Sequence, residues 1–174
     1  MENKKILVAF FSRMGENYFP GSIRSIEKGN THMAAQMIAQ ALGADLFEIE
    51  AAEPYSDVYK ECVMRAKQEM DLDARPALVR DTDISAYDVI FLGYPNWCGT
   101  MPRPVWTFLE SHDFTGKLLC PFCTHEGSGL ANSPADIKKL APGADLQEGL
   151  AIKGSQVRDG DATVEHWSKG LMAF

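Results

Sequence analysis

Residues that could hold an anion follow the first apolar run of the chain. Ser12 and Arg13 come directly after that run, and the turn Gly29-Asn30-Thr31 precedes a segment with helical periodicity. The N-terminus of a helix has unpaired N–H groups and a partial positive charge, so it binds phosphate without needing lysine. The hydroxyls of Ser12 and Thr31 can add hydrogen bonds, and Gly29 lets the backbone approach closely. The pattern predicts a phosphate site; the alternative is that Thr31 only caps the helix.

A surface for a flat ring follows another apolar run, residues 89–92. The segment consists of Pro95, Asn96, Trp97, Cys98, Gly99 and Thr100. Trp97 offers a stacking plate for a heterocycle, and Asn96 with the nearby backbone amides can meet its polar edge. The alternative is that Trp97 is a core residue at a junction between strand and helix.

A third polar segment follows residues 118–123. It contains Thr124, His125, Glu126, Ser128 and Gly129. His125 could donate a proton or contact a substrate, and the alternative is a solvated surface histidine. Three candidate ligand-binding segments therefore each follow an apolar run.

Five predicted strands alternate with helices along the chain and would position these three segments. The strands are residues 6–11, 46–50, 89–92, 118–123 and 146–152, and the helices are residues 32–42, 56–70, 105–112, 135–140 and 161–171. Continuous apolar runs are typical of strands covered on both faces. The alternation predicts an α/β fold: a doubly wound parallel sheet of order 2-1-3-4-5 with helices on both faces. In this order the loops after strands one, three and four meet at the switch point, where ligands bind.

Local signals predict where the helices begin and end. Thr31, Ser56 and Ser133 are candidate N-caps, and Gly43 is a candidate stop after the first helix. Residues 14–28 contain glycines and a proline without a clear period, so we predict an inserted loop or a partly ordered excursion there. The length of 174 residues predicts one domain over 1–174.

The composition excludes several classes of protein. A net charge of −7 and a pI near 5.1 argue against a nucleic-acid or anionic membrane surface. No apolar run approaches the roughly 20 residues that a membrane span needs, and the N-terminus lacks the long apolar core of a secretory signal. We therefore expect a cytoplasmic protein. Four cysteines in a chain of this size do not indicate a disulfide scaffold.

Other classes of function compete with ligand binding at the three loops. Cys120 and Cys123 match the spacing of a redox dithiol, but such a pair needs a helix N-terminus to lower a thiol pKa. Here an apolar run leads into the pair, which favours two strand residues that pack as small hydrophobes. A phosphoacceptor signalling domain needs clustered acidic residues at two strand ends, where this chain has Ser12 and Tyr94. A binding module without a cofactor remains an alternative.

Three motifs in order resemble the flavodoxin family, in particular a bacterial flavodoxin-like branch. They are Phe11-Ser12-Arg13 with Gly29-Asn30-Thr31, YPNWCGTMPRPVWTFLE, and GKLLCPFCTHEGSG. The resemblance implies a flavodoxin-like fold and non-covalent FMN. It places Ser12, Arg13, Asn30 and Thr31 around the phosphate, Pro95, Asn96, Trp97, Gly99 and Thr100 along the isoalloxazine, and Thr124, His125, Glu126 and Gly129 on its other side. The absence of a Walker loop and of a GxGxxG turn agrees with a mononucleotide.

Two features depart from the family pattern. Residues 14–28 split the phosphate loop, and the alternative is that residues 14–17 continue this loop after Arg13. Cys98 stands where the family often has a second tryptophan, which would either leave one face of the flavin more open or bring a thiol near it. The insertion has two aromatic residues, Tyr18 and Phe19, beside the phosphate loop. We therefore hypothesise that it folds over the cofactor as a flap; a surface loop without a ligand role is the alternative.

The resemblance implies redox chemistry of one of two kinds. An electron carrier presents the flavin edge to a redox partner, and negative charge such as Glu126 near the ring lowers the flavin potential. An FMN-dependent NAD(P)H:acceptor oxidoreductase of quinone type needs a nicotinamide-sized space above the ring, which His125 or the insertion could shape. We favour the carrier, with a redox partner protein or a small-molecule electron acceptor as its partner.

Overall fold

A parallel sheet with helices on both faces organises the molecule. The computed structural model of the chain describes residues 3–160 and 162–173. The strands are β1 (Ile6–Phe10), β2 (Gly15–Phe19), β3 (Ser22–Ile26), β4 (Asp45–Glu48), β5 (Val89–Pro95), β6 (Leu118–His125), β7 (Asp145–Leu146) and β8 (Leu150–Lys153). The helices are α1 (Asn30–Leu42), α2 (Tyr59–Asp71), α3 (Arg103–Glu110), α4 (Ser133–Leu140), α5 (Gly154–Val157) and α6 (Ala162–Leu171). Within the described residues, no helix has both the length and the apolar character to cross a membrane.

The order of the strands confirms the predicted doubly wound sheet. The sheet runs β4-β1-β5-β6-β7, with β8 also paired to β6, and all of these pairs are parallel. Helices α1 and α6 pack on one face through Ile38 and Val164, and α3 and α4 pack on the other through Phe108 and Ile137. All of β5 except Pro95 is buried, which is why its apolar run is uninterrupted. The carboxyl ends of β1, β5 and β6 are therefore neighbours.

The fifth predicted strand is divided in two by a bulge. Leu119 pairs with Leu146 and Phe122 pairs with Leu150, so residues 147–149 lie opposite only Cys120 and Pro121. Proline has no N–H group to donate to a neighbouring strand, and an extra residue opposite it is a common solution. The prediction of one continuous strand over residues 146–152 is therefore wrong in this detail.

Residues 14–28 form an antiparallel hairpin of β2 and β3, so the prediction of a loop is wrong there. Gly15 pairs with Ile26 and Phe19 pairs with Ser22. The hairpin is anchored to the start of α2, because the Glu16 amide donates to the carbonyl of Asp57 at 2.8 Å. Most of β3 is exposed, so its sequence has only a weak form of the apolar and polar alternation that indicates a half-buried strand.

Two predicted N-caps are wrong because residues from elsewhere cap the helices. Helix α1 begins after Gly29 rather than after Thr31, and no side chain of its own N-cap residue makes the capping bond. Helix α2 begins after Val58 rather than Ser56, and the carboxylate of Glu16 in the hairpin accepts the amide of Tyr59 at 2.8 Å. A carboxylate at this end of a helix also interacts favourably with the helix dipole.

The other helix boundaries are closer to prediction. Gly43 ends α1 in the left-handed conformation with φ of 62°, as predicted. Ser133 is the first residue of α4 rather than its N-cap, and its buried hydroxyl donates to the carbonyl of Leu130. The predicted start of the last helix, Asp161, lies outside the described residues.

We expect Gly93→Ala to destabilise the sheet. A Cβ atom at this position of β5 would lie 2.2 Å from the ring of Phe122, so the aromatic side chain must move within a packed core. Overpacking of this kind costs about 1–3 kcal/mol of the free energy of unfolding, measurable by urea denaturation. Gly170→Ala in α6 is the matched control, because a Cβ atom there meets open space. Equal stability of the two variants would contradict the prediction.

Candidate functional site

A cleft of about 410 Å³ lies at the carboxyl ends of β1, β5 and β6. This volume lies within the range of small-molecule sites. Eleven of the predicted site residues line it: Ser12, Arg13, Asn30, Thr31, Pro95, Asn96, Trp97, Cys98, Thr124, His125 and Glu126. The others, Gly29, Gly99, Thr100 and Gly129, belong to the same loops without being among its lining residues. The fold therefore brings the three predicted loops to one place.

The N-terminus of α1 forms one end of the cleft. The hydroxyl oxygen of Ser12 accepts the amide of His32 at 3.1 Å, so the end of β1 supplies the cap that the helix lacks. Only glycine fits at position 29, because a Cβ atom there would lie 2.0 Å from the Ser12 hydroxyl oxygen. The amides of Asn30 and Thr31 have no acceptor within the helix, and its first turn contains no acidic residue. This end of the cleft is therefore suited to an anion.

A buried hydrogen bond joins two of the three loops. The hydroxyls of Thr31 and Thr124 lie 2.8 Å apart, and both residues are almost fully buried. Thr31 is therefore tied to the end of β6, which fixes the distance between the anion end of the cleft and the segment that follows β6.

Arg13 connects the hairpin to the segment before α2. Its Nη2 donates to the carbonyl oxygen of Ser56 at 2.7 Å, its Nε donates to the same oxygen at 3.1 Å, and its Nη1 donates to the carbonyl oxygen of Glu16. These bonds use much of the donor capacity of the guanidinium. Arg13 lines the cleft, and its main contacts hold the wall of the cleft together.

A packed cluster behind Trp97 holds this ring at the side of the cleft. The ring meets Phe11 and Tyr55 edge-on, at centroid distances of 5.2 and 5.0 Å. The hydroxyl of Tyr55 donates to the carboxylate of Glu69 at 2.6 Å, and the Arg65 guanidinium lies 3.8 Å from the centre of the Tyr55 ring. Burial, followed by the hydrogen bond to Glu69, raises the pKa of Tyr55, which stays protonated. Trp97 is thus part of the core and part of the cleft at once.

Asn96 links the loops after β5 and β6. Its Nδ2 donates to the carbonyl of Gly129 at 2.9 Å, and its Oδ1 accepts the amide of Gly99 at 3.1 Å. Thr100 donates its hydroxyl to Asp136 at 2.6 Å. The backbone amides of Asn96, Trp97, Gly99 and Thr100 also donate within the protein, so the loop after β5 is held by its own hydrogen bonds.

His125 and Glu126 stabilise the far side of the cleft. Nδ1 of His125 accepts the amide of Gly127 at 2.8 Å, which leaves Nε2 to carry the proton of the neutral ring. Burial lowers the pKa of His125; the neighbouring Glu126 carboxylate opposes this shift, and Lys153 adds to it. The carboxylate of Glu126 accepts the amide of Ser155 at 2.7 Å, at the start of α5.

The hairpin and α2 supply a further wall of the cleft, of which only the hairpin was predicted from the sequence. The residues that line the cleft from these elements are Asn17, Tyr18, Tyr59, Cys62, Val63, Ala66 and Lys67. The rings of Tyr18 and Tyr59 lie 6.5 Å apart. The flap hypothesis places Tyr18 near the cofactor, whereas the sequence of α2 shows only helical periodicity and no ligand signal. The hairpin is beside the cleft as the flap hypothesis requires, and its closing over a ligand stays a prediction.

The two cysteines of the competing dithiol face opposite sides of the sheet. Cys120 is in the core beneath α1, and Cys123 is in the core beneath α3 and α4. Burial raises the pKa of each thiol to about 12. Neither cysteine lies at a helix N-terminus, so both are protonated core residues.

Comparison with known proteins identifies relatives over nearly the whole chain. A family model described as Flavodoxin matches residues 5–170. The crystal structure of a protein from Bacteroides uniformis that is assigned as a flavoprotein is 30% identical, with a TM-score of 0.76 over 95% of this chain and 98% of that one. Another, from Bacteroides eggerthii, is 32% identical, with a TM-score of 0.71 over 92% and 98%.

A more distant structure shares the fold. It is a flavoprotein from Lactobacillus acidophilus in complex with FMN, 19% identical, with a TM-score of 0.62 over 90% of this chain and 97% of that one. No curated protein matches the sequence at a significant level.

We expect the His125 ring to titrate below 6.5 in the folded protein. Burial lowers its pKa, and protonation of Nδ1 would break the bond from the Gly127 amide. The stability that the neutral ring contributes is complete above pH 6.5 and is lost as the pH falls through the lowered pKa. An NMR titration of the ring and of the Gly127 amide measures both events, with His125→Ala to assign the ring signals. A midpoint at or above 6.5 would contradict this expectation.

Proposed function

Because this chain belongs to the flavodoxin family, we propose that its cleft binds FMN non-covalently and that the protein carries electrons through the bound flavin. The observation that carries the proposal is the pairing of an anion end and an aromatic plate within one cleft. The free amides at the start of α1 lie at one end, and Trp97 lines the side. This arrangement suits a ligand with a phosphate on one end and a flat ring on the other.

The residues of the cleft suit the parts of FMN. The amides of Asn30 and Thr31 and the hydroxyl of Ser12 would hold the phosphate, whose charge the helix dipole favours. Trp97 would cover the ring system, and polar groups of the loop after β6 would meet its polar edge. Ser12 and Thr31 are already fixed by His32 and Thr124, so little ordering is needed on binding.

The bound flavin supplies reversible one- and two-electron chemistry. The chain orients the ring, excludes water from one face and sets the charge around it. Glu126 lines the cleft, and the protein has a net charge of −7, so we expect an electrostatic field that disfavours further negative charge on the ring. A carrier of this kind presents the exposed edge of the flavin to a redox partner.

A second candidate function is an FMN-dependent NAD(P)H:acceptor oxidoreductase of quinone type. The observation in its favour is the wall formed by the hairpin and α2, which extends the cleft beyond the three strand-end loops. Tyr18 and Tyr59 give this wall aromatic surface, and Lys67 gives it a positive charge. A carrier has no need of such a wall, whereas a small planar substrate could be held against it.

We expect purified protein mixed with excess FMN to keep flavin absorption bands after desalting, while free FMN on the same column is removed. Loss of all bands from folded protein would contradict the proposed cofactor. Adding NADPH alone to the loaded protein then separates the two functions. Slow bleaching that becomes fast with a partner reductase supports the carrier, and rapid bleaching by NADPH alone supports the oxidoreductase.

We expect Trp97→Ala to weaken FMN binding by about tenfold or more, because stacking contact and buried area are lost together. Trp97→Phe keeps an aromatic plate and should bind more tightly than the alanine variant. Fluorescence titration gives both dissociation constants, and thermal unfolding of the apo-proteins monitors the loss of contacts to Phe11 and Tyr55. An alanine variant with the wild-type Kd would show that Trp97 serves only the core.

A further inference from the structure

Arg158 contacts the anion end of the cleft from outside the three predicted loops. This surface residue follows α5, far along the chain from the start of α1. Its Nη1 donates to Oδ1 of Asn30, and its Nη2 donates to the carbonyl oxygen of Lys28 at 2.6 Å. The two bonds enclose Gly29, the position where the chain enters α1.

The same C-terminal segment also constrains the other side of Asn30. A Cβ atom at Gly154 would lie 2.3 Å from Nδ2 of Asn30, so α5 begins in close contact with this amide. Glu126 holds that start of α5 through the amide of Ser155. The side chain of Asn30 is therefore bracketed by Arg158 on its oxygen and by Gly154 on its nitrogen.

Arg158 also reaches the hairpin. Its guanidinium carbon lies 5.7 Å from the ring centre of Phe19, a residue that is only 3% exposed. Arg24 lies over the same ring at 5.2 Å. The side chain of Arg24 donates to the hydroxyl of Ser22 within the hairpin, and no contact of Arg24 with Lys28 or Asn30 is seen in the described structure. The two arginines share an aromatic contact and differ in their bonds to the turn before α1.

We propose that Arg158 is a positioning residue for the phosphate end of the flavin site, acting through Asn30 and the Lys28 carbonyl. The inference rests on the proposed function. A guanidinium that donates to two acceptors fixes their relative orientation, which a single donor does not do. The turn from Lys28 to Asn30 sets the direction of the first free amides of α1, and these are the groups that would meet the phosphate.

The test compares FMN with riboflavin, which has the same ring system and lacks the phosphate. We expect Arg158→Met to weaken FMN binding by about tenfold to a hundredfold, the range for hydrogen bonds with a charged partner, and to leave riboflavin binding unchanged. Arg24→Met is the matched control and should change neither affinity. A loss of FMN and riboflavin affinity in equal proportion would overturn the proposal, because it would reveal a general structural role.

A double-mutant cycle with Asn30→Ala identifies the route of the effect. If Arg158 acts through Asn30, Arg158→Met has a much smaller effect in the Asn30→Ala background. Fully additive losses would overturn the proposed action through Asn30, because the effect would then come from the Lys28 bond alone or from direct attraction between Arg158 and the phosphate. NMR of the apo-protein gives an independent readout: inorganic phosphate should shift the amides of Asn30 and Thr31 in wild type and much less in Arg158→Met.

Failure of the two proposals is distinguishable. If wild-type protein binds neither FMN nor riboflavin, the proposed function fails. If wild type prefers FMN to riboflavin and Arg158→Met keeps the same preference, the role of Arg158 alone is refuted.

Discussion

The close contact between the end of β1 and the start of α1 is the constraint on which the site depends. Ser12 caps the helix through the amide of His32, and it can do so only because Gly29 has no Cβ atom to occupy the same space. A helix capped by its own serine or threonine would place a side chain across its first amides. Here the cap comes from the neighbouring strand, so the amides of Asn30 and Thr31 stay open to the cleft.

The hairpin takes part in the architecture of the site although it interrupts the phosphate loop in sequence. Glu16 caps α2 through the amide of Tyr59, and Arg13 ties both segments together. At its other end the hairpin buries Phe19 beneath Arg158. The insertion thus connects α2 on one side of the cleft to the segment after α5 on the other, and it contributes Tyr18 to the wall between them. The hairpin is therefore held by contacts with other elements at both of its ends.

Trp97 belongs both to the hydrophobic core and to the surface of the cleft. Its edge-on contacts with Phe11 and Tyr55 belong to the core, and its remaining surface belongs to the cleft. The buried carboxylate of Glu69 lies behind Tyr55, where the tyrosine hydroxyl and the guanidinium of Arg65 satisfy it. Burial of a carboxylate is costly unless it is paired in this way. The network therefore gives the ring a defined position, and a stacking surface needs such a position to favour one ligand orientation.

The order of the main sheet and its three ligand loops could be predicted from the sequence, because buried parallel strands must be continuous apolar runs and their ends meet at one edge. The position of Thr31, Trp97 and His125 after such runs, together with their side-chain chemistry, therefore predicted them as site residues. Their bonding was decided only by the tertiary structure, since Ser12 as a cap and Glu16 as a cap act across long separations in sequence. No local pattern encodes such contacts. The wall formed by the hairpin and α2 likewise depends on how these elements pack against each other. The same holds for the hydrogen bond between Arg158 and Asn30, because packing of elements is not encoded in the periodicity of a single segment.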